Sequence, residues 1–233
     1  MDYVRAADGN QSIAEAVAER LDGVRFNSFV TSIKVDERVS TGTDDGSMDT
    51  DSIVVAVPLP LISTIEFEPP LVPALLEAIE ILQMGTAAKI AVATRSTPPR
   101  FARHCRRATA WWWTGDGLEG ATRPAVTGFA GSQAAINELG ANWIDELRSS
   151  VPEVTPIGPV ESVDWGEDPW SRGCYSAIGP GQEHVPAAFD DVGPVVWAGE
   201  HTRAGGTIDG AIASGDRAAG LVNQYLTTFL PTP

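Results

Sequence analysis

Two adjoining stretches near the C-terminus combine residue types that could hold an electron-rich ligand. Val195-Val196-Trp197-Ala198 is an apolar run of strand type, and it leads into the polar turn Gly199-Glu200-His201-Thr202. Gly205-Gly206-Thr207-Ile208-Asp209-Gly210 then opens a helix rich in small residues, including Ala211, Ala213 and Gly215. This order puts the N–H groups of a helix start beside the end of a strand, where an anionic or electron-rich group can sit. The glycines let backbone approach such a group closely, because no Cβ stands in the way.

Other chemistries lack their residues. A dinucleotide site of the usual kind needs a strand, G-x-G-x-x-G and a helix. Gly115-Asp116-Gly117-Leu118-Glu119-Gly120 has the wrong spacing and follows a Trp-rich strand that no helix pattern succeeds. His104, His184 and His201 fit no zinc spacing, and Cys105 and Cys174 form no CxxC pair, so no metal site is expected. There is no G-x-S-x-G, which leaves a hydrolase elbow unsupported. Trp111-Trp112-Trp113 reads as alternating core and surface of a strand.

The elements that must position the turn follow from periodicity. Asn10 to Leu21 reads as a helix, with Ile13, Val17 and Leu21 at a spacing of four and Asp22-Gly23 as its stop. Val24 to Glu37 reads as strand, and Thr43-Asp44-Asp45-Gly46 as a hairpin turn. Ser52 to Pro58 is a continuous apolar strand, which implies burial on both faces as in a parallel sheet. Pro69-Pro70 opens a helix marked by Leu71, Leu75, Ile79 and Leu82. Strands are expected at Lys89–Thr94, Ala110–Thr114 and Ala125–Ala130, and one helix over Gln133–Ser149. Val151 to Asp191 reads as a long loop holding Trp165, Trp170 and Tyr175, and a loop of that length is usually functional. A last helix runs from Thr207 to Phe229.

Composition bounds the class. The chain has 233 residues, long enough for one large domain or two small ones, and 43% are hydrophobic. A net charge of −15 argues against a nucleic-acid partner. The basic run Arg95 to Arg107 reads as a solvated segment that offsets local acidity. Two cysteines read as free thiols, although one disulfide is compatible with the count. Met1 to Ala6 has no apolar leader, and no stretch approaches a membrane span, so the reading is a cytoplasmic protein with no membrane partner.

Six segments, the two C-terminal stretches among them, carry a family resemblance. Asp51-Ser52-Ile53-Val54-Val55-Ala56-Val57-Pro58, Ile65-Glu66-Phe67-Glu68-Pro69-Pro70-Leu71 and Met84-Gly85-Thr86-Ala87-Ala88-Lys89-Ile90 come first. Trp165 with Pro169-Trp170-Ser171-Arg172-Gly173-Cys174-Tyr175-Ser176 follows, then Ala198–Thr202 and Gly206–Gly215. In this order they resemble the motifs of the FAD-dependent amine oxidase family (monoamine and polyamine oxidases), from about residue 9 to the C-terminus. The resemblance implies an α/β (mixed α+β) fold. It would comprise the C-terminal half of the FAD-binding Rossmann-like fold and part of the substrate domain with its mixed sheet. Residues 1–77 and 168–233 would be parts of the FAD-binding domain, and 78–167 part of the substrate-binding domain. The family's N-terminal G-x-G-x-x-G segment has no counterpart here.

The same resemblance implies roles. Lys89 would hold a water beside flavin N5 and assist reoxidation by O2, and Tyr175 would orient the substrate amine over the flavin. Val30 would hold the adenine through its backbone, and Trp165, Gly199 and Gly206 would line the cofactor. Glu200 would bond the ribityl chain, while Thr207 and Ile208 would face the flavin pyrimidine at the helix start. Cys174 matches the position of a thioether to the flavin in the monoamine oxidase branch. Thr207, where that branch has a second tyrosine, resembles the polyamine oxidase branch instead. Each residue also has an ordinary reading: a surface lysine for Lys89, a small buried hydrophobe for Cys174 and an exposed carboxylate for Glu200. The implied reaction oxidises an amine C–N bond to an imine by hydride transfer to flavin N5, with H2O2 formed from O2. The readings are a half that works with a separate N-terminal half chain or as a homo-oligomer, a truncated inactive fragment, or a non-catalytic interaction module.

Overall fold

A computed structural model describes residues 6, 9–116, 121–203 and 205–229. Gly117–Gly120 of the rejected glycine stretch, and Met1–Arg5 of the N-terminal segment, lie outside the described residues. The chain divides into two compact units. Unit 1 comprises Met1–Ser28, Ile90–Phe129 and Leu139–Glu161, and unit 2 comprises Phe29–Lys89, Ala130–Glu138 and Ser162–Pro233.

Unit 2 is built on a mixed sheet. Strands β1 (Val30–Val35), β2 (Val39–Thr43), β3 (Gly46–Thr50) and β5 (Glu66–Glu68) lie in the order β3-β2-β1-β5. β2 and β3 form a two-residue hairpin over Asp44-Asp45, with Thr43 paired to Gly46, and β1 runs antiparallel to β2 but parallel to β5. A second, parallel pair joins β4 (Ile53–Val55) to β13 (Val195–Trp197), with Val196 opposite Val54. Helices α2 (Leu59–Ile62) and α3 (Pro73–Ile81) contribute Leu59, Ile62 and Leu75 to one apolar core with Ile33, Val39, Val55, Phe189 and Trp197. Helix α6 (Ile208–Phe229) packs Ala218 and Leu221 against Val196 on the other side of β13. α4 (Gln133–Leu139) belongs mostly to this unit by its residues.

β4 corrects one expectation. Its apolar run predicts burial on both faces, yet Val54 is 40% exposed while Val196, its partner in register, is fully buried. Alternation sends Val55 into the core and Val54 to the opposite face.

Unit 1 takes most of a five-stranded sheet, in the order β11-β7-β10-β9-β8. The strands are β7 (Ala88–Thr94), β8 (Ala102–His104), β9 (Ala110–Asp116), β10 (Thr122–Ala130) and β11 (Pro156–Asp164). Trp112 is buried and meets Trp143 edge to face at 5.6 Å, while Trp111 is half exposed, as the strand period of the triple tryptophan requires. β11 occupies residues expected to be loop. Its prolines and Gly158 mask the strand signal, and such residues are tolerated because β11 lies at a sheet edge. The long helix expected over Gln133–Ser149 is two pieces. Gly140, at a φ of +43°, breaks it between α4 and α5 (Trp143–Ser150). α1 (Gln11–Ala18) forms as expected but buries none of its residues.

Of the basic run, Arg103 pairs with Glu153 and Arg107 stands 3.7 Å from Glu146. Both cysteines are free. No helix among the described residues is long and apolar enough to cross a membrane.

Candidate functional site

All the residues singled out by sequence fall in unit 2. The segment after β11 forms a tight series of backbone hooks. Asp164 accepts the Gly166 N–H through Oδ1 at 2.9 Å, and Trp165 donates its N–H to Ala87 O at 2.9 Å. Arg172, at a φ of +49°, turns the chain and donates to Asp168 O at 2.9 Å. Gly173 N–H then returns to Trp165 O at 2.8 Å. Cys174 donates to Gly85 O at 2.9 Å, and Gly85 donates back to Tyr175 O at 2.8 Å. This exchange continues as a short antiparallel ladder between β12 (Ser176–Ala177) and β6 (Gln83–Met84). The expected long loop is therefore pinned to residues 83–87 at Trp165 and again from Cys174 to Ala177.

Tyr175 and Cys174 sit beside two glycines. A Cβ built on Gly85 would lie 3.2 Å from Cys174 Sγ and 3.8 Å from Tyr175 Cε2. A Cβ on Gly206 would lie 3.5 Å from Tyr175 Cβ. Gly206, with φ at +54°, is in the left-handed region that glycine enters without steric cost. Tyr175 therefore adjoins the turn that opens α6. Thr207 caps that helix: Ala211 N–H bonds Thr207 O at 3.0 Å, and Gly210 N–H bonds Thr207 Oγ1 at 3.2 Å.

Glu200 ties this turn to β12. It accepts the Ser176 N–H on Oε1 at 3.0 Å and the Ser176 hydroxyl on Oε2 at 2.8 Å. A carboxylate has about four acceptor sites, so it keeps capacity for a further donor. Partial burial is the main force raising the Cys174 thiol above its usual range, with Glu200 adding to it. Burial likewise raises the Tyr175 hydroxyl. Both groups are neutral near pH 7.

Gly199 makes the bend at the strand end with φ at +131°, and a Cβ there would stand 2.5 Å from the His201 ring. Its N–H donates to Ser214 Oγ at 2.8 Å, joining the strand end to α6. His201 is buried edge-on to Phe189 at 5.3 Å, with Nε2 unpartnered. Burial lowers its pKa, so the imidazole is neutral.

A cluster that sequence reasoning missed holds the scaffold. Arg217 on α6 pairs with Asp190, donates to Trp197 O at 2.7 Å and to Thr202 Oγ1 at 2.9 Å. Thr202 Oγ1 in turn donates to Gly199 O at 2.8 Å. Arg203 adds a second bond to Asp190 at 2.9 Å. The available signal was Arg217 itself: a long cation three residues from Ser214 and beside Ala218, on the buried face of a helix whose first half is rich in small residues.

The remaining residues are less enclosed. Trp165 is 39% exposed, Tyr175 45% and Ile208 47%, and Val30 is half-buried at the start of β1. Lys89 is exposed. β7 alternates buried and exposed residues, so the apolar neighbours Ala88 and Ile90 point to the opposite face and cover nothing of Lys89. What the arrangement offers chemically is an exposed aromatic ring and a half-buried thiol beside a glycine turn and the start of a 22-residue helix. The residues fit a flavin's ring and side chain: small residues at the approach, helix N–H groups for an electron-rich edge, and a carboxylate for hydroxyls.

Comparisons with known proteins identify the family and the fold. The profile of the flavin containing amine oxidoreductase family matches residues 2–223. A nicotine dehydrogenase of Pseudomonas putida is 31% identical over 216 residues, covering 88% of this chain and 44% of that protein. A putative flavin-containing monoamine oxidase of Mycobacterium tuberculosis is 28% identical, covering 95% of this chain and 53% of that protein. In fold, a redesigned putrescine oxidase superposes with a TM-score of 0.80 at 23% identity, over 94% of this chain and 53% of its own. The chain spans about half the length of the relatives it matches. It belongs to the flavin-containing amine oxidoreductase family.

Proposed function

We propose that this chain is the flavin-facing part of an FAD-dependent amine oxidase, acting together with a complementary half that completes the cofactor site. The observation that carries the reading is Tyr175 set against Gly206 at the start of α6, with Glu200 held beside it through Ser176. When bound, FAD supplies the hydride acceptor for oxidising an amine to an imine and returns the electrons to O2 as H2O2.

The chain's own residues prepare that chemistry. The helix start at Thr207 and Ile208 presents N–H groups and a positive dipole end to an electron-rich ring edge. Glu200 has acceptor capacity left for a ribityl hydroxyl, and Gly199, Gly206 and Trp165 let or line its approach. Val30 begins β1 where its backbone can serve the adenine end. The Tyr175 ring presents a face to the substrate nitrogen, attractive to it when charged through the ring quadrupole. Lys89 supplies a cation to hold a water where negative charge gathers. Cys174, half-buried beside Gly85, is the thiol placed for a thioether to the flavin.

The absorption spectrum of the purified chain, prepared with FAD and with a complementary half, tests this before and after acid precipitation. A flavin band that stays with the precipitate and is lost in Cys174→Ser supports both cofactor and bond. A released band keeps the cofactor and rejects the bond. No band in either preparation rejects the reading in favour of a non-catalytic module.

A further inference from the structure

We infer that the stacked rings of Phe29 and Trp170 form a clamp that sets the spacing between the adenine end and the ring end of the cofactor site. Its ligand rests on the proposed function, and its geometry rests on a ring contact within unit 2.

Phe29 stands just before β1, and Trp170 lies in the loop after β11. Their ring planes are parallel, with centroids 4.6 Å apart. Every other aromatic pair among the described residues is tilted or edge-on. Neither ring belongs to the apolar core of unit 2: Phe29 is 43% exposed and Trp170 57%. Core burial therefore does not account for two rings held face to face at the surface.

Both rings stand on braced backbone. Phe29 donates its N–H to Asp44 Oδ1 at 3.0 Å, in the turn between β2 and β3. Trp170 follows Pro169 on a turn closed by the Ser171 hydroxyl, which meets Trp165 O at 3.3 Å and bonds Asp168. Asn27 and Arg172 are the two non-glycine residues with a positive φ among the described residues, at +56° and +49°. Each is two residues from one ring of the pair. Asparagine tolerates this region, whereas arginine enters it at a cost. Such backbone persists where its surroundings over-determine it, and ligand clamps are one such setting.

The clamp joins the two parts of the proposed site. Phe29 immediately precedes Val30, whose backbone would serve the adenine. Trp170 lies between Trp165 and the Cys174–Tyr175 pair, at the end that would meet the flavin ring. FAD spans both ends, whereas FMN has no adenine and reaches only one. Spacing fixed before the ligand arrives removes an ordering cost from binding. That gain goes to the flavin that uses both ends. Phe29 and Trp170 are thus positioning residues, and they give the site its preference for the dinucleotide.

The test reads the clamp on the chain alone and then on flavin. Amide hydrogen exchange compares the unmodified chain with Trp170→Leu, Trp170→Phe and Phe26→Leu. Trp170→Leu should speed exchange of the Phe29 amide at least about tenfold, and Trp170→Phe, which restores a ring, should recover most of the protection. Phe26→Leu, at a ring 78% exposed and outside the pair, should leave it unchanged. Affinities for FAD and for FMN are then measured in a Cys174→Ser background, where binding is reversible, in the same two preparations as the flavin spectrum. Trp170→Leu should weaken FAD about tenfold and leave FMN unchanged, with Trp170→Phe recovering most of the loss. A residue that serves stability alone would weaken both flavins alike. Circular dichroism confirms that each variant folds, and Phe29→Leu takes the place of Trp170→Leu if that variant does not. Unchanged exchange at Phe29, an unchanged FAD affinity, or equal losses of FAD and FMN would each overturn the inference. A chain that binds neither flavin rejects the proposed function and the clamp's ligand with it, and exchange at Phe29 tells that outcome apart from a failed clamp.

Discussion

Each unit of the molecule assembles the same four groups, a cysteine, a carboxylate, a serine hydroxyl and an aromatic side chain, and uses them differently. In unit 1, Glu146 accepts the Arg106 N–H and the Ser150 hydroxyl, each at 2.6 Å, beside Cys105 and Trp112. In unit 2, Glu200 accepts the N–H and hydroxyl of Ser176, beside Cys174 and Tyr175. Glu146 is 1% exposed and Trp112 fully buried, whereas Tyr175 is 45% exposed. Burial pushes the Cys105 thiol up to about 11, with the Glu146 charge adding to it. Residue chemistry alone does not make a site. The sealed set fastens the segment after β8 to α5, and the open set can meet a ligand.

The largest effect that could break this comparison is on stability. Glu146→Ala would leave the Arg106 N–H and the Ser150 hydroxyl without their acceptor and open a cavity around a buried side chain. The expected loss is about 2–4 kcal/mol. Glu200→Ala removes the same number of bonds from a half-buried place that water can reach, and should cost about 1 kcal/mol. Urea titrations followed by tryptophan fluorescence compare the two variants. Equal losses would show that Glu200 is as structural as Glu146. The functional half of the contrast is read in flavin retention, which Glu200→Ala should reduce and a folded Glu146→Gln should leave alone.

A smaller effect sharpens the contrast between the thiols. Both are raised by burial, so neither is a ready thiolate at neutral pH. Cys105 is also enclosed, while Cys174 is only half-buried. Iodoacetamide on the folded chain at about pH 8 should therefore modify Cys174 at least about tenfold faster than Cys105, as peptide mass spectrometry would show. Comparable rates would mean that unit 1 opens readily and that its cluster is not sealed.

How much of this was legible in the sequence depended on whether the signal was local. The strand–turn–helix from Val195 to Ile208 could be read because an apolar run, glycines and a capping threonine follow one another directly. The Thr43–Gly46 hairpin could be read for the same reason. β11 could not, because its edge position removes the apolar alternation on which strand reading rests. Lys89 lies between the apolar residues Ala88 and Ile90 in sequence, but in a strand those two occupy the other face. Arg217 and Glu146 were silent because their partners, Asp190 and Arg106, are 27 and 40 residues away. The exposure of Val54 is invisible to any pattern: the run of β4 records what the strand is suited to bury, not what is present to cover it.

His201 gives the smallest effect and a test of how closed the scaffold behind the open site is. The imidazole is buried against Phe189, and burial, with Arg217 adding to it, holds its pKa below the ordinary value. In the unfolded chain it titrates near about 6.5. Below that value the unfolded state binds a proton that the folded state refuses, so stability falls as pH drops. The contribution is complete above about pH 6.5 and is lost progressively down to the depressed folded value. His201→Asn should flatten this part of the profile, because an amide does not titrate there. Urea midpoints from about pH 7.5 to 5 for both proteins measure the difference. Parallel profiles would mean that His201 takes up a proton while folded, and that water reaches the strand end behind Gly199.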